Sequence, residues 1–178
     1  MRARARRQGR QANKLCLCLL FLAFVSSSCR DNVIYHQYQS IDGGVWEKDR
    51  AHNFTFVIDD EKLLYDISFE VRNNGLYPYQ NLWIFSTAVT PLGEVSRDTV
   101  EIILADDFGK WKGRGLSLYQ STYTLSPAHK FPTKGRYTIT FTHAMRRNAI
   151  EGIQEIGLKI TRSRPQAVFI EIPFINGR

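Results

Sequence analysis

Few of the side chains that carry catalysis or bind metals are spaced in this chain as such sites require. The four histidines are His36, His52, His129 and His143. No two of them lie at a close metal-ligand spacing, and the chain lacks the H-E-x-x-H, G-x-S-x-G, P-loop and G-x-G-x-x-G patterns. Asp106, Asp107 and Gly109 lack the alternating acids and distant glutamate of a calcium loop, which favours a solvated turn. We therefore expect no enzymatic activity, no metal site, no cofactor and no bound nucleotide.

Cys29 is the residue to which the sequence assigns a definite covalent chemistry. A basic segment without acids precedes an apolar run over residues 15–25 and the small residues 26–28. This order predicts a cleaved signal peptide over residues 1–28, since the apolar run is too short to span a bilayer. The cut site resembles a bacterial lipobox, in which the thiol carries a diacylglyceryl group, although Ser26 stands where an aliphatic residue is usual. The alternative is ordinary cleavage nearby, which would leave Cys29 as a free thiol.

Processing changes both the cysteine content and the charge of the chain. Cys16 and Cys18 lie in the discarded segment and no cysteine follows Cys29, so the mature domain has no disulfide. Removing six Lys and Arg residues and no acid lowers the formal charge from +7 to +1. The basic character belongs to the targeting segment, and we expect no nucleic-acid partner.

The elements that must position any site are predicted to be β-strands. Apolar and polar residues alternate over 54–59, 65–72, 82–87, 98–104, 116–121, 137–142 and 156–161. Such alternation indicates half-buried strands, and turn signals such as Asn73-Asn74-Gly75 separate the segments. Short strands with regular turns are typical of an all-β domain. We predict a two-sheet antiparallel β-sandwich, of jelly-roll or immunoglobulin-like type, in preference to a barrel.

The sequence is long enough for one domain after processing. We divide the chain into a signal peptide at 1–28, a lipidated cysteine with a short tether at 29–40, a β-sandwich at 41–161 and a tail at 162–178.

Several segments, taken in order, resemble the gliding-motility lipoprotein GldH family of Bacteroidetes. They begin just after Cys29 with Val33-Ile34-Tyr35, and continue through 65–73, the acidic and glycine-spaced tryptophan segment 105–115, residues 141–146 and residues 152–160. The resemblance covers about residues 29–161 and leaves the tail unmatched. It implies a lipid-anchored, non-catalytic envelope protein of the gliding machinery and the associated type IX secretion. Its partners are then the membrane and other motility or secretion proteins, and it transfers no catalytic residues.

The membrane face occupied by the domain follows from the residues after the lipidated cysteine. Arg30-Asp31-Asn32 carries a single acid, whereas surface-exported lipoproteins of this group carry a more acidic stretch there. We therefore expect an outer-membrane anchor with the domain facing the periplasm.

The candidate contact residues are Trp111, Lys112 and Arg114. Trp111 is expected to be the most exposed tryptophan because glycines and cations flank it, and aromatic residues are favoured anchors of protein interfaces. The competing interpretation is a glycan-binding module. Its stacking platform would be built from Trp46, Trp83, Trp111, Tyr77 and Tyr79. In the simplest alternative these aromatic side chains only fill the sandwich core.

Overall fold

The computed structural model describes residues 32–163, which fold almost entirely into antiparallel strands. The strands are β1 (Val33–Ser40), β2 (Val45–Glu47), β3 (His52–Ile58), β4 (Tyr65–Asn74), β5 (Asn81–Val89), β6 (Val95–Ile103), β7 (Leu118–His129), β8 (Gly135–His143), β9 (Ala149–Glu151) and β10 (Ile153–Arg162). A single turn of 3-10 helix, Asp42–Gly44, joins β1 to β2. The predicted signal peptide, Cys29 and the tail from residue 164 lie outside the described residues.

Eight of these strands form two four-stranded sheets. Sheet I has the order β1-β10-β4-β7 and sheet II the order β3-β8-β5-β6, while β2 and β9 form a separate small pair. This interleaved order, in which each sheet draws its strands alternately from the two halves of the chain, is that of an eight-stranded jelly roll. The predicted all-β sandwich is confirmed, and the strand order selects the jelly-roll alternative over the immunoglobulin-like one.

The core lies between the two sheets and follows the predicted alternation. In β3 every second residue from His52 to Ile58 is buried, and the inner face of β4 buries Phe69 and Val71 completely. Phe69 packs edge-on against Phe141 of β8, with ring centroids 4.9 Å apart. Burying one such side chain fully contributes about 1.5–3 kcal/mol, so the alternating positions account for the association of the sheets.

The prediction of a tether over residues 29–40 is wrong for residues 33–40. These residues form β1, which pairs with β10 along its whole length, from Val33 opposite Thr161 to Ser40 opposite Glu155. The prediction failed because β1 is an edge strand whose residues are only partly buried, so its sequence lacks clear alternation.

The strand register also defines the two ends of the sandwich. Val33, which begins β1, lies in the same region of sheet I as Thr161 and Asp66. The start of β7 lies at the other end, where Leu118 pairs with Asn74. The loop over residues 104–117, which connects β6 to β7, is therefore at the end of the sandwich opposite the start of β1.

Candidate partner-contact site

The first half of the 104–117 loop is a tight hairpin organised by Asp106. Its Oδ1 accepts hydrogen bonds from the backbone N–H of Phe108 (3.0 Å) and of Lys110 (2.9 Å). Gly109 has a φ of +80°, which L side chains adopt only under strain, and its N–H donates to the Asp106 carbonyl at 2.9 Å. Ala105 and Trp111 face each other across the hairpin. Asp106 is thus used to close a turn, as the sequence predicts.

A second turn follows directly. Arg114 and Gln120 exchange two backbone hydrogen bonds of 2.9 Å, and the chain reverses between them through Gly115. A Cβ on Gly115 would lie 1.8 Å from the Leu118 carbonyl oxygen, so only glycine fits there. The two turns place large apolar side chains in solvent, because Phe108 is 97% exposed and Leu116 is 96% exposed.

Trp111 lies beneath these turns and is half-buried. Its ring packs between those of Tyr77 and Tyr119, with centroid distances of 6.5 and 5.8 Å, and contacts the core. The expectation that Trp111 is the most exposed tryptophan is wrong, since Trp83 on the outer face of β5 is the exposed one, at 38%. The loop backbone turns the Trp111 side chain towards the core. The cations on either side of it in the sequence do not indicate this direction.

The proposed five-residue aromatic platform is not formed. Trp46 and Tyr77 are buried in the core, where Trp46 donates to the Arg50 carbonyl at 3.0 Å and Tyr77 donates to the Asn81 carbonyl at 2.8 Å. Tyr79 and Trp83 remain together at a cleft of about 530 Å³, which Arg146 and Arg147 also line. The alternative that these aromatic side chains only fill the core is therefore correct for Trp46 and Tyr77.

Lys112 and Arg114 lie beside a larger groove, of about 770 Å³, between the edges of the two sheets. Its lining residues are Ile102, Ile103, Lys112, Arg114, Gln120, Ser121, Thr122 and Tyr123. Both cations are exposed, and within residues 32–163 neither forms an ion pair. The structure thus brings two of the three candidate contact residues to one groove and seats the third under the adjoining turns.

A polar cluster that the sequence did not predict occupies the outer face of sheet I. Glu70 of β4 is only 2% exposed, although its side chain points away from the core. Its carboxylate interacts with His36 Nε2 at 2.7 Å and accepts hydrogen bonds from the Tyr38 hydroxyl and from Thr122 Oγ1 at 3.2 Å. The cluster ties β1 and β7 to the centre of the sheet.

The chemistry of this cluster is that of a stabilised carboxylate. Burial by itself would raise the pKa of Glu70, but hydrogen bonds from Tyr38 and His36 outweigh it and hold that pKa below its ordinary value. Arg72 completes the cluster, since its guanidinium lies 4.0 Å from the centroid of the Tyr38 ring and pairs with Glu155. The sequence could not predict this cluster, because its side chains are brought together only by the register between neighbouring strands.

The remaining histidines are packing residues. His52 and His143 lie edge-on to Trp46, with centroid distances of 5.5 and 5.6 Å, and burial lowers the pKa of both. Burial also lowers the pKa of His129, which packs on Phe131. In the part of the chain that the structure describes, no three His, Cys, Asp or Glu side chains could hold a metal ion together. Among the same residues no helix has the length and hydropathy needed to cross a bilayer.

The fold and the loop define the class of this domain, a jelly roll that presents apolar and basic side chains at one end. The family model described as GldH lipoprotein matches residues 33–160, and the chain belongs to this family. This confirms the family predicted from the sequence, and with it a membrane-anchored lipoprotein of the cell envelope.

Two relatives carry this family name. The gliding motility lipoprotein GldH homolog of Christiangramia forsetii is 32% identical over 152 residues, which are 81% of this chain and 93% of the relative. The gliding motility lipoprotein GldH of Flavobacterium johnsoniae is 29% identical over 150 residues, which are 80% and 92% of the two chains.

Solved structures are much more distant. TmCBM61 in complex with beta-1,4-galactotriose is 11% identical, covers 72% of this chain and 88% of its own, and has a TM-score of 0.28. A family two carbohydrate esterase from Cellvibrio japonicus is 14% identical, with coverage of 74% and 36% and a TM-score of 0.27. Neither likeness is close enough to inform function.

Proposed function

We propose that this lipoprotein is a non-catalytic component of the gliding machinery and its associated type IX secretion system, and that it acts by binding other envelope proteins. The observation that carries the proposal is the pair of exposed apolar side chains at the end of the domain, Phe108 and Leu116. Exposed apolar patches mark interaction sites. Phe108 and Leu116 belong to adjoining turns, and the exposed Lys110, Lys112 and Arg114 lie between them in the sequence.

The chain topology supports a contact that points away from the membrane. Cys29 precedes Val33 by four residues, which span at most about 14 Å when fully extended. A lipid on Cys29 would therefore hold the start of β1 near the bilayer. Because the 104–117 loop is at the opposite end of the sandwich, it would reach proteins beyond the membrane surface. We place this anchor in the outer membrane with the domain in the periplasm, following the weakly acidic residues after Cys29.

Exposed residues test the proposal most directly, since their replacement separates binding from folding. In a Phe108→Ser/Leu116→Ser variant we expect an unchanged melting temperature, because surface substitutions shift stability by about 0.5 kcal/mol or less. Loss of an interface anchor typically costs about 2 kcal/mol of binding, roughly a thirtyfold loss of affinity. We therefore expect recovery of cross-linked envelope proteins and colony spreading to fall sharply.

The matched control is Leu92→Ser/Val95→Ser. Leu92 is 72% exposed and Val95 is also exposed, but both are near the turn between β5 and β6 at the other end of the domain. The control should keep partner recovery and spreading at wild-type levels. Normal spreading and normal partner recovery in the Phe108→Ser/Leu116→Ser variant would refute a contact at this loop.

Trp111→Ala gives a second, paired measurement. Because the ring packs against Tyr77 and Tyr119, we expect a loss of stability of about 1–3 kcal/mol beside any loss of binding. A loss of partner recovery without destabilisation would mean that Trp111 itself reaches the partner.

Glycan binding is the second candidate function. The observation that favours it is the cleft where Tyr79 and the exposed Trp83 meet Arg146 and Arg147. An aromatic ring beside hydrogen-bond donors can stack a sugar and hold its hydroxyl groups. Saturable binding of a defined glycan that Trp83→Ala abolishes would support this function over protein contact.

A further inference from the structure

The groove beside Lys112 and Arg114 has a wall that can accept another strand. β6 is the last strand of sheet II, and no described strand pairs with its outer side. Its register with β5 is unbroken over nine pairs, from Asn81 opposite Ile103 to Val89 opposite Val95. The strand contains no proline or glycine. Long regular edges of this kind present free backbone N–H and C=O groups, which are a template for strand addition.

The interior of the groove combines apolar and hydrogen-bonding side chains. Ile102 of β6 is buried at one side, and Tyr123 of β7 is partly exposed at the other. Gln120 and Thr122 also line the groove and add polar side chains there. Side chains of an added strand could therefore find both apolar and hydrogen-bonding contacts.

Two cations stand at one end of this groove because the loop backbone is packed tightly there. A Cβ on Gly113 would lie 2.9 Å from Ser121 Oγ and 3.0 Å from the Gln120 carbonyl, so residue 113 must be glycine for the chain to approach β7. Lys112 and Arg114 flank that glycine and both line the groove. Among residues 32–163 no aspartate or glutamate lines the groove, so this end attracts anions.

We infer that the groove binds an extended, acidic segment of a partner protein, which pairs with the free edge of β6 and places carboxylates beside Lys112 and Arg114. This inference rests on the proposed contact function and specifies the chemistry of the partner. Backbone hydrogen bonds to β6 supply affinity without sequence preference, while the two cations select acidic residues at one end of the segment.

The test uses the full-length lipoprotein in detergent micelles and titration calorimetry. The probes are an acetylated, amidated (Val-Glu)₄ peptide, its (Val-Lys)₄ counterpart, the acidic peptide N-methylated at alternate residues, and oligogalacturonate as an acidic sugar. We expect saturable binding of the acidic peptide, at least tenfold tighter than that of the basic one, and no binding of oligogalacturonate. N-methylation removes backbone donors and must weaken binding at least tenfold if a strand is added.

Two variants test whether the peptide binds in this groove. Lys112→Glu/Arg114→Glu should weaken binding of the acidic peptide at least tenfold. The neutral variant Lys112→Gln/Arg114→Gln should give an intermediate loss, and it serves as the test if the charge-reversed variant folds poorly. The control Lys130→Glu/Arg136→Glu changes two exposed cations that do not line this groove, and binding should stay within twofold of the wild type.

Three outcomes overturn the inference: no peptide binding, equal binding of the N-methylated peptide, or binding of oligogalacturonate in place of the peptide. The proposed function is judged separately by the Phe108→Ser/Leu116→Ser variant. If that variant loses its partners while no acidic peptide binds, the groove inference fails and the contact function stands.

Discussion

Gly157 allows the polar cluster on sheet I to form, and replacing it with alanine tests that structure. Tyr38, Gly157, Glu70 and Thr122 are paired in one row across all four strands. The absent side chain at Gly157 lets the Tyr38 ring lie across β10 and reach Glu70. A Cβ there would lie 2.9 Å from Tyr38 Cδ1 and 3.1 Å from the Gln37 carbonyl, so the ring must move.

The magnitude follows from what Tyr38 would lose. Its hydrogen bond to the buried Glu70 carboxylate is of the charged kind, worth about 1.5–3 kcal/mol. The contact of the Arg72 guanidinium with its ring adds about 0.5–1 kcal/mol. Relief of the glycine entropy penalty offsets about 0.5–1 kcal/mol. We expect Gly157→Ala to lower the free energy of unfolding by about 1–3 kcal/mol.

The assay is urea denaturation of the purified protein at pH 7, with Gly75→Ala as the matched control. Gly75 lies in the turn after β4, and a Cβ there has no neighbour within 4 Å. The control should therefore leave stability unchanged or slightly raised. In a Tyr38→Phe background, which already lacks the hydroxyl, the loss caused by Gly157→Ala should shrink by about the worth of that hydrogen bond. An equal loss in both backgrounds, or none in either, would refute the role assigned to Tyr38.

Three further predictions concern pH, lipidation and orientation. Burial lowers the pKa of His52, His129 and His143, so the unfolded chain binds protons that the folded domain does not. The contribution of these histidines to stability is therefore fully present above their ordinary pKa of about 6.5 and decreases as the pH falls below it, so the urea midpoint should be lower at pH 5.5 than at pH 7.5. Cys29→Ala should abolish labelling by fatty acid and leave either unprocessed precursor or soluble protein, and retained labelling would exclude Cys29 as the lipid site. Proteinase added to intact cells should leave the protein whole, whereas rapid digestion would place the domain on the cell surface.

The strands of the core could be predicted from the sequence because burial there follows chain position. Alternation over 54–59 and 65–72 matches the buried faces of β3 and β4, since successive side chains in a strand point to opposite sides. The turn that Asp106 closes was predicted for a similar reason, because its hydrogen bonds reach residues only two and four positions away. The family was readable because its segments keep their order along the chain.

What the tertiary structure decided involves residues that are distant in sequence. β1 was missed because it depends on pairing with β10, more than a hundred residues later, and on the Tyr38 contact that Gly157 permits. Trp111 was expected in solvent, but Tyr77 and Tyr119 enclose it from two other segments. The choice of the jelly roll, and a groove between β6 and β7, depend on which strands become neighbours. That arrangement is set by the packing of all the strands together, which no local pattern of residues records.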